Sequence, residues 1–416
     1  MKNILKTKVS ILVGMLIFLT ACTKSFDQMN INPNVATIVP ATNVLGSSQL
    51  LSMRTLFGTR LDCYYAGAYS GYISAPDYEY RVDINNDMWR SMYSTLTFAE
   101  DAMRLAKNES NDNLYAAALT FKAYNAQKTT DMWGSIPYSE AFKLEKGIIY
   151  PKYDSQESVY NAILAELKIA ADLFSVTGKP IGPGDFLLNG NIAKWQKFCN
   201  SLRLRVAVRM SSADAVKATA VILEILGNPS KYPIMTSNTD NVYWYFPGTA
   251  PDQEIWFQSM GTVTGGVKLS GWRMQQPIID ALQNNNDPRL SVYADKNSWG
   301  KYSGHRFGPL ELSDTLNNNF NRSHIGDWFM NDPKGFVPYM NSAEVYFCLA
   351  EIYQRGLATG VAKTAYETGI TRSCEESGKI NAASIASFLT QPDVAWGNNT
   401  AANLQKIALQ KWICLF

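Results

Sequence analysis

The chain has 416 residues, a formal net charge of +2 and 46% hydrophobic residues. That is material for one large domain or two ordinary ones with a substantial core, and it excludes a disordered chain. Acidic and basic residues are interspersed without a polybasic run, which argues against nucleic acid as a partner.

The first segment reads as a lipoprotein signal. Lys2, Lys6 and Lys8 precede an apolar run from Val9 to Leu19, and Leu19-Thr20-Ala21 leads into Cys22. Charge, apolar core and small residues in this order mark a secretory signal. The run is about half the roughly 20 residues that a spanning helix needs. An ordinary cleaved signal with a chance cysteine is the alternative, but Cys22 sits where acylation demands a thiol. The reading predicts a signal peptide over residues 1–21, lipidation at Cys22 and a polar tether over 22–40.

Helical spacing recurs after the tether. Trp89, Tyr93, Leu96, Ala99 and Met103 share a stripe in Asn86 to Lys107, and Leu114, Ala118, Phe121 and Tyr124 share one in Leu114 to Gln127. Phe98 to Thr129 therefore reads as a helical pair. Asp154 is a predicted N-cap with Glu157 three residues on, followed by the apolar face Val159, Ile163, Leu167, Ala170 and Phe174. Trp195, Phe198, Leu202, Val206 and Met210 repeat the pattern in Asn191 to Ser211. Further helices are predicted at Ala213 to Leu226, Gln275 to Gln283, Ser342 to Arg355, Val361 to Glu376 and Ala402 to Leu415. The Ser342 and Val361 helices alternate small and aromatic residues, as tetratricopeptide hairpins do.

Between about Pro229 and Pro338 the helical period weakens and Gly, Asn, Pro and aromatics rise. Trp244, Trp256, Trp272, Trp299 and Trp328, half of the ten tryptophans, fall here. The expectation is a helical scaffold over 41–228 and 339–416 carrying a loop-rich lobe over 229–338, within one domain over 41–416. Loops on a rigid scaffold are where binding residues concentrate. Tyr78, Tyr80, Trp256, Trp272 and Trp299 lie in Gly- or Pro-containing stretches outside the clear stripes. They are the predicted ligand contacts, because an aromatic face suits the C–H face of a sugar ring.

Catalytic and metal constellations are absent from the sequence pattern. His305 and His324 are the only histidines, and neither has a partner at metal-ligand spacing. The Asp83 to Asp87 run copies half a calcium loop but lacks the following glycine and the glutamate at the twelfth position, so chance explains it. Six cysteines are present, with no Cys-x-x-Cys. Cys199 and Cys348 fall on helical patterns and read as buried free thiols. No catalytic residue, cofactor or metal is predicted.

Several motifs carry a family resemblance. Thr130-Asp131-Met132-Trp133-Gly134-Ser135-Ile136-Pro137-Tyr138-Ser139-Glu140-Ala141 closely resembles the signature of SusD/RagB-like outer-membrane lipoproteins of Bacteroidetes. Gly184-Asp185, Asn189-Gly190, Trp195 and Phe198 to Arg205 are similar to the segment that follows it, and Asp287-Pro288-Arg289 and the Glu344–Glu351 helix continue the match. The resemblance implies a mainly α fold, with tetratricopeptide-like hairpins and a loop-rich aromatic lobe. It implies a non-enzymatic lipoprotein on the outer membrane that binds oligosaccharides or other nutrients and caps a SusC-like TonB-dependent transporter. Peptide cargo for the same kind of lid, or a surface glycoside hydrolase, are the alternatives. The signature residues read as structural. Family members continue past the pattern seen here at Lys406 to Trp412, whereas this chain stops at Phe416, which reads as truncation.

Overall fold

The computed structural model describes residues 39–58, 65–74, 86–259, 263–264, 267–268, 271–306 and 321–416. Cys22, Cys63, Tyr78, Tyr80 and the Asp83 to Asn85 run lie outside the described residues.

The scaffold helices are α1 (Ala41–Leu56), α2 (Asn86–Asn108), α3 (Asp112–Trp133), α4 (Gln156–Leu173), α5 (Ile192–Met210) and α6 (Ala215–Gly227). Helix α3 is central. Asn111 caps its start by accepting from Leu114 N at 3.1 Å, and Gly134 ends it at φ +73°. The predicted stripe of Leu114, Ala118, Phe121 and Tyr124 is buried, but so are Ala116, Ala117, Ala123 and Ala126. A helix covered all round sits inside its neighbours, and small alanines let them approach. Helix α2 packs on α1 and α3, α4 packs on α3, and α5 packs on α4 and α6. The predicted Phe98–Thr129 pair is the α2–α3 hairpin.

One cap differs from expectation. Ser155, not Asp154, caps α4, accepting from Ser158 N. Asp154 instead accepts from the backbone N–H groups of Tyr138 (3.0 Å) and Ser139 (2.6 Å). A carboxylate can cap any cluster of free N–H groups, and here the signature turn supplies two.

Eight short strands pair in antiparallel ribbons among the described residues. They are β1 (Ile73–Ser74) with β7 (Arg273–Met274), β2 (Ile136–Pro137) with β3 (Tyr153–Asp154), β4 (Val242–Tyr245) with β8 (Phe336–Met340), and β5 (Val263–Thr264) with β6 (Val267–Lys268). The β4–β8 register places Val242 opposite Met340 and Tyr245 opposite Phe336. It closes the base of the excursion between them, which among the described residues carries β5, β6, β7, α7 (Ile255–Ser259), α8 (Gln276–Asn284) and single helical turns.

Beyond β8 come α9 (Ser342–Gln354), α10 (Ala362–Glu375), α11 (Ala382–Leu389) and α12 (Thr400–Cys414). A Cβ on Gly369 of α10 would stand 2.9 Å from the Phe347 ring of α9. Gly369→Ala is therefore expected to cost about 1–3 kcal/mol through overpacking. Urea unfolding measures it, and an unchanged midpoint would mean that the ring has room to move.

Two apolar cores result. The larger joins α1–α6 to α9–α12. The smaller gathers Trp272, Met274, Ile278, Ile279, Tyr293 and Ile325 under the excursion. Helix α12 touches both: Ile407 is in the first and Ile413 in the second. The apolar end packs, with Phe416 stacked on Tyr293 at 5.1 Å and edge-on to Phe329 at 5.1 Å. Cys199, Cys348, Cys374 and Cys414 are buried free thiols, and burial pushes Cys199 up to about 12. Residues 41–416 form one compact unit. Among the described residues no helix is long and apolar enough to cross a membrane.

Candidate functional site

A cavity of about 480 Å³ opens between the helical scaffold and the excursion. This volume falls in the range of small-ligand sites. Its two walls differ in chemistry.

The first wall is a run of aromatic rings. Tyr243 of β4 stacks on Phe336 of β8 at 4.7 Å and 9°. Phe336 meets Trp328 at 5.2 Å, Trp328 meets Phe329 at 4.6 Å, and Phe329 meets Trp256 at 6.3 Å. All five line the cavity, and all but Tyr243 are partly exposed. The β4–β8 ribbon supplies Tyr243 and Phe336 because alternate strand residues share a face. The Asp327–Met330 turn supplies Trp328 and Phe329.

Two carboxyls join this wall. Glu254 is 3% exposed, and its carboxylate accepts from Phe257 N at 2.6 Å. Burial pushes it up to about 7, against the opposing pull of the Trp256, Phe257 and Ile255 backbone N–H groups. Glu376 follows α10 and accepts from the Tyr243 hydroxyl. Burial pushes Glu376 up to about 8. Burial thus holds both carboxyls of this wall well above the ordinary carboxylate range, beside the ring faces.

This has a consequence for stability. The folded Glu254 carboxyl keeps its proton to a higher pH than its ordinary value of 4.5. Its contribution is complete below that value and is lost as pH rises through about 7. Glu254→Gln should therefore stabilise the protein at pH 8 relative to pH 5, on the order of 2–3 kcal/mol. Parallel melting curves at the two pH values test it, and a constant difference would refute the burial argument.

The second wall comes from α3, α5 and α9, through Gln127, Lys128, Asp131, Arg205, Arg209 and Glu344. Arg205 donates to Gln127 at 2.9 Å and pairs with Glu344 at 3.4 Å. Arg209 pairs with Asp131 at 2.9 Å, and Asp131 also accepts from Tyr160 at 2.6 Å. Other signature residues brace the frame. Tyr138 donates to Glu166, Asn200 to Pro233 O at 3.2 Å, and Arg203 pairs with Glu224 at 2.5 Å.

The predicted contacts scatter. Trp256 lines the cavity. Trp272 is 8% exposed within the smaller core. Trp299 is 58% exposed and stands away from the cavity lining. Tyr243, Trp328, Phe329 and Phe336 were not singled out in the sequence. Strand alternation at Tyr243 and Phe336 was the available signal. Lys128 had one too, as a charge within an alanine-rich helix.

The fold recurs in solved structures. A SusD homologue from Bacteroides fragilis is 24% identical, with 89% of this chain and 83% of that chain covered and a TM-score of 0.73. A SusD homologue from Bacteroides uniformis is 24% identical over 91% and 84%, with a TM-score of 0.73. A chitin-binding SusD homologue from Flavobacterium johnsoniae is 24% identical over 90% and 82%, with a TM-score of 0.72. A comparison with curated proteins gave no match. The SusD-like family described as "starch-binding associating with outer membrane" matches residues 28–416. A mainly helical scaffold, the likeness to SusD homologues and this match across most of the sequence agree, and the chain belongs to the SusD-like family.

Proposed function

We propose that this protein is a non-enzymatic, outer-membrane lipoprotein that binds oligosaccharides and hands them to a SusC-like TonB-dependent transporter. The observation that carries the binding role is the continuous aromatic wall from Tyr243 to Trp256 in a cavity of ligand size. Ring faces hold sugar C–H surfaces, and the carboxyls of Glu254 and Glu376 add directional hydrogen bonds. The family's description and a chitin-binding relative support a glycan over other nutrients. The basic start and Leu19-Thr20-Ala21-Cys22 support lipidation at Cys22, with residues 22–40 as tether to a domain over 41–416. Capture followed by closure over a transporter pore is the mechanism.

Calorimetry with neutral oligosaccharides tests the binding role. Trp256→Ala is expected to weaken binding about tenfold, or ~1.4 kcal/mol, without lowering the melting temperature. Tyr78 and Tyr80 are proposed as further contacts, to be tested in the same way. Binding of peptides with no glycan binding would move the cargo to the peptide alternative. Release of reducing ends from polysaccharide would move the protein to the hydrolases.

A further inference from the structure

We infer that the cavity is built for an acidic saccharide, whose carboxylate sits against the α3–α5 wall at Lys128 and Arg205. The inference rests on the glycan-binding reading and adds the charge of the ligand.

Charge balance on that wall is the first observation. Lys128, Arg205 and Arg209 face two carboxylates, Asp131 and Glu344. Both carboxylates already have a cation: Asp131 holds Arg209 at 2.9 Å, and Glu344 lies 3.4 Å from Arg205. Lys128 is left over. It is partly buried, its Nζ stands 5.5 Å from the centroid of the Tyr124 ring, and among the described residues no carboxylate lies within ion-pair distance of it. The guanidinium of Arg205 lies over the same ring at 5.2 Å.

Unsatisfied donors are the second observation. Arg205 is 5% exposed, and its Nε has no hydrogen-bond partner among the described residues. Lys128 and Arg205 thus line one cavity, the first outside any ion pair and the second with its Nε donor unspent. Desolvating a cation without a counter-charge costs several kcal/mol, and an incoming anion relieves that cost. Burial, then the charge of Arg205, pulls the Lys128 ammonium down to about 8, against the pull of Glu344 and Asp131. That direction agrees with a cation lacking a partner.

The ligand's chemistry follows from both walls. A carboxylate is planar and takes a point-charge ammonium and a guanidinium edge together. The rest of the molecule must suit aromatic faces and buried carboxyls, as the hydroxyls and C–H faces of a hexuronate do. A neutral sugar satisfies the aromatic wall and leaves Lys128 as it is.

Calorimetry on the full chain decides between these cases. The probes are oligosaccharides bearing uronate residues in several linkages, each paired with its carboxyl-reduced counterpart. The expected result is at least tenfold tighter binding of an acidic member than of its reduced partner. Lys128→Met should cut that preference to below threefold, and Lys128→Gln should do the same. Both variants are expected to melt no lower than the parent, because each removes a partly buried cation that makes no ion pair. Equal binding of acidic and reduced members overturns the inference and leaves the glycan-binding reading intact. Binding of peptide carboxylates with no uronate binding overturns it also. If no saccharide binds, neutral or acidic, both readings fall.

Discussion

Arg289→Ala is expected to destabilise the protein by about 3–5 kcal/mol, enough to leave much of it insoluble. Arg289 and Asp287 are both fully buried and pair at 2.6 Å. The guanidinium also donates to Ser373 at 2.9 Å and to Gln410. It thereby ties the turn after α8 to α10 and α12, where the two cores meet. Removing the arginine strands a charged carboxylate that is buried from solvent. The cost is that of the orphan, not of the pair, so the double variant Asp287→Leu, Arg289→Met should recover most of the loss. Urea unfolding of the two variants checks both halves. A loss below 1 kcal/mol for Arg289→Ala would show that water reaches Asp287.

Asp185→Ala carries the second large effect, about 2–4 kcal/mol. The carboxylate is 1% exposed and accepts from five groups. They are Gln49 Nε2 at 2.8 Å, the N–H groups of Leu187, Leu188 and Gly190 at 3.2, 3.3 and 2.8 Å, and Trp195 Nε1 at 2.6 Å. Gln49 in turn accepts from Phe186 N at 2.9 Å. Helix α1, the loop over 182–191 and helix α5 are joined through one side chain. Loss of the acceptor leaves buried N–H groups without partners. Asp185→Asn should fare little better, since its amide sets donors against donors. Thermal unfolding and near-ultraviolet circular dichroism, which reports on buried Trp195, measure the effect. A native signal and an unchanged midpoint in Asp185→Ala would sink the account.

These two sites explain why the family motifs were easy to read while the ligand site was not. Gly184-Asp185, Asn189-Gly190 and Trp195 lie within twelve residues, because one carboxylate must gather donors from one short loop. Asn189 and Gly190 both take positive φ, at 52° and 71°, which lets the loop wrap around it. A local network leaves a local pattern. Likewise the scaffold helices followed from a 3.6-residue period. The Asp154 cap failed by one residue, because a carboxylate beside two helix-start candidates has no sequence mark showing which N–H groups it will meet.

What the sequence by itself determined was the family and the mainly helical scaffold. Periodicity and contiguous motifs are one-dimensional signals of short-range geometry. What only the tertiary structure decided was the cavity. Lys128, Arg205, Tyr243, Trp256, Trp328 and Glu376 come from six separate segments, brought together by the β4–β8 ribbon and by helix packing around α3. Burial then decided their chemistry, pushing the Glu254 and Glu376 carboxyls up and pulling the Lys128 ammonium down. Neither proximity across the chain nor desolvation is written in residue spacing. Trp256 and Trp272 therefore looked alike in sequence, while packing put one at the cavity and the other in a core.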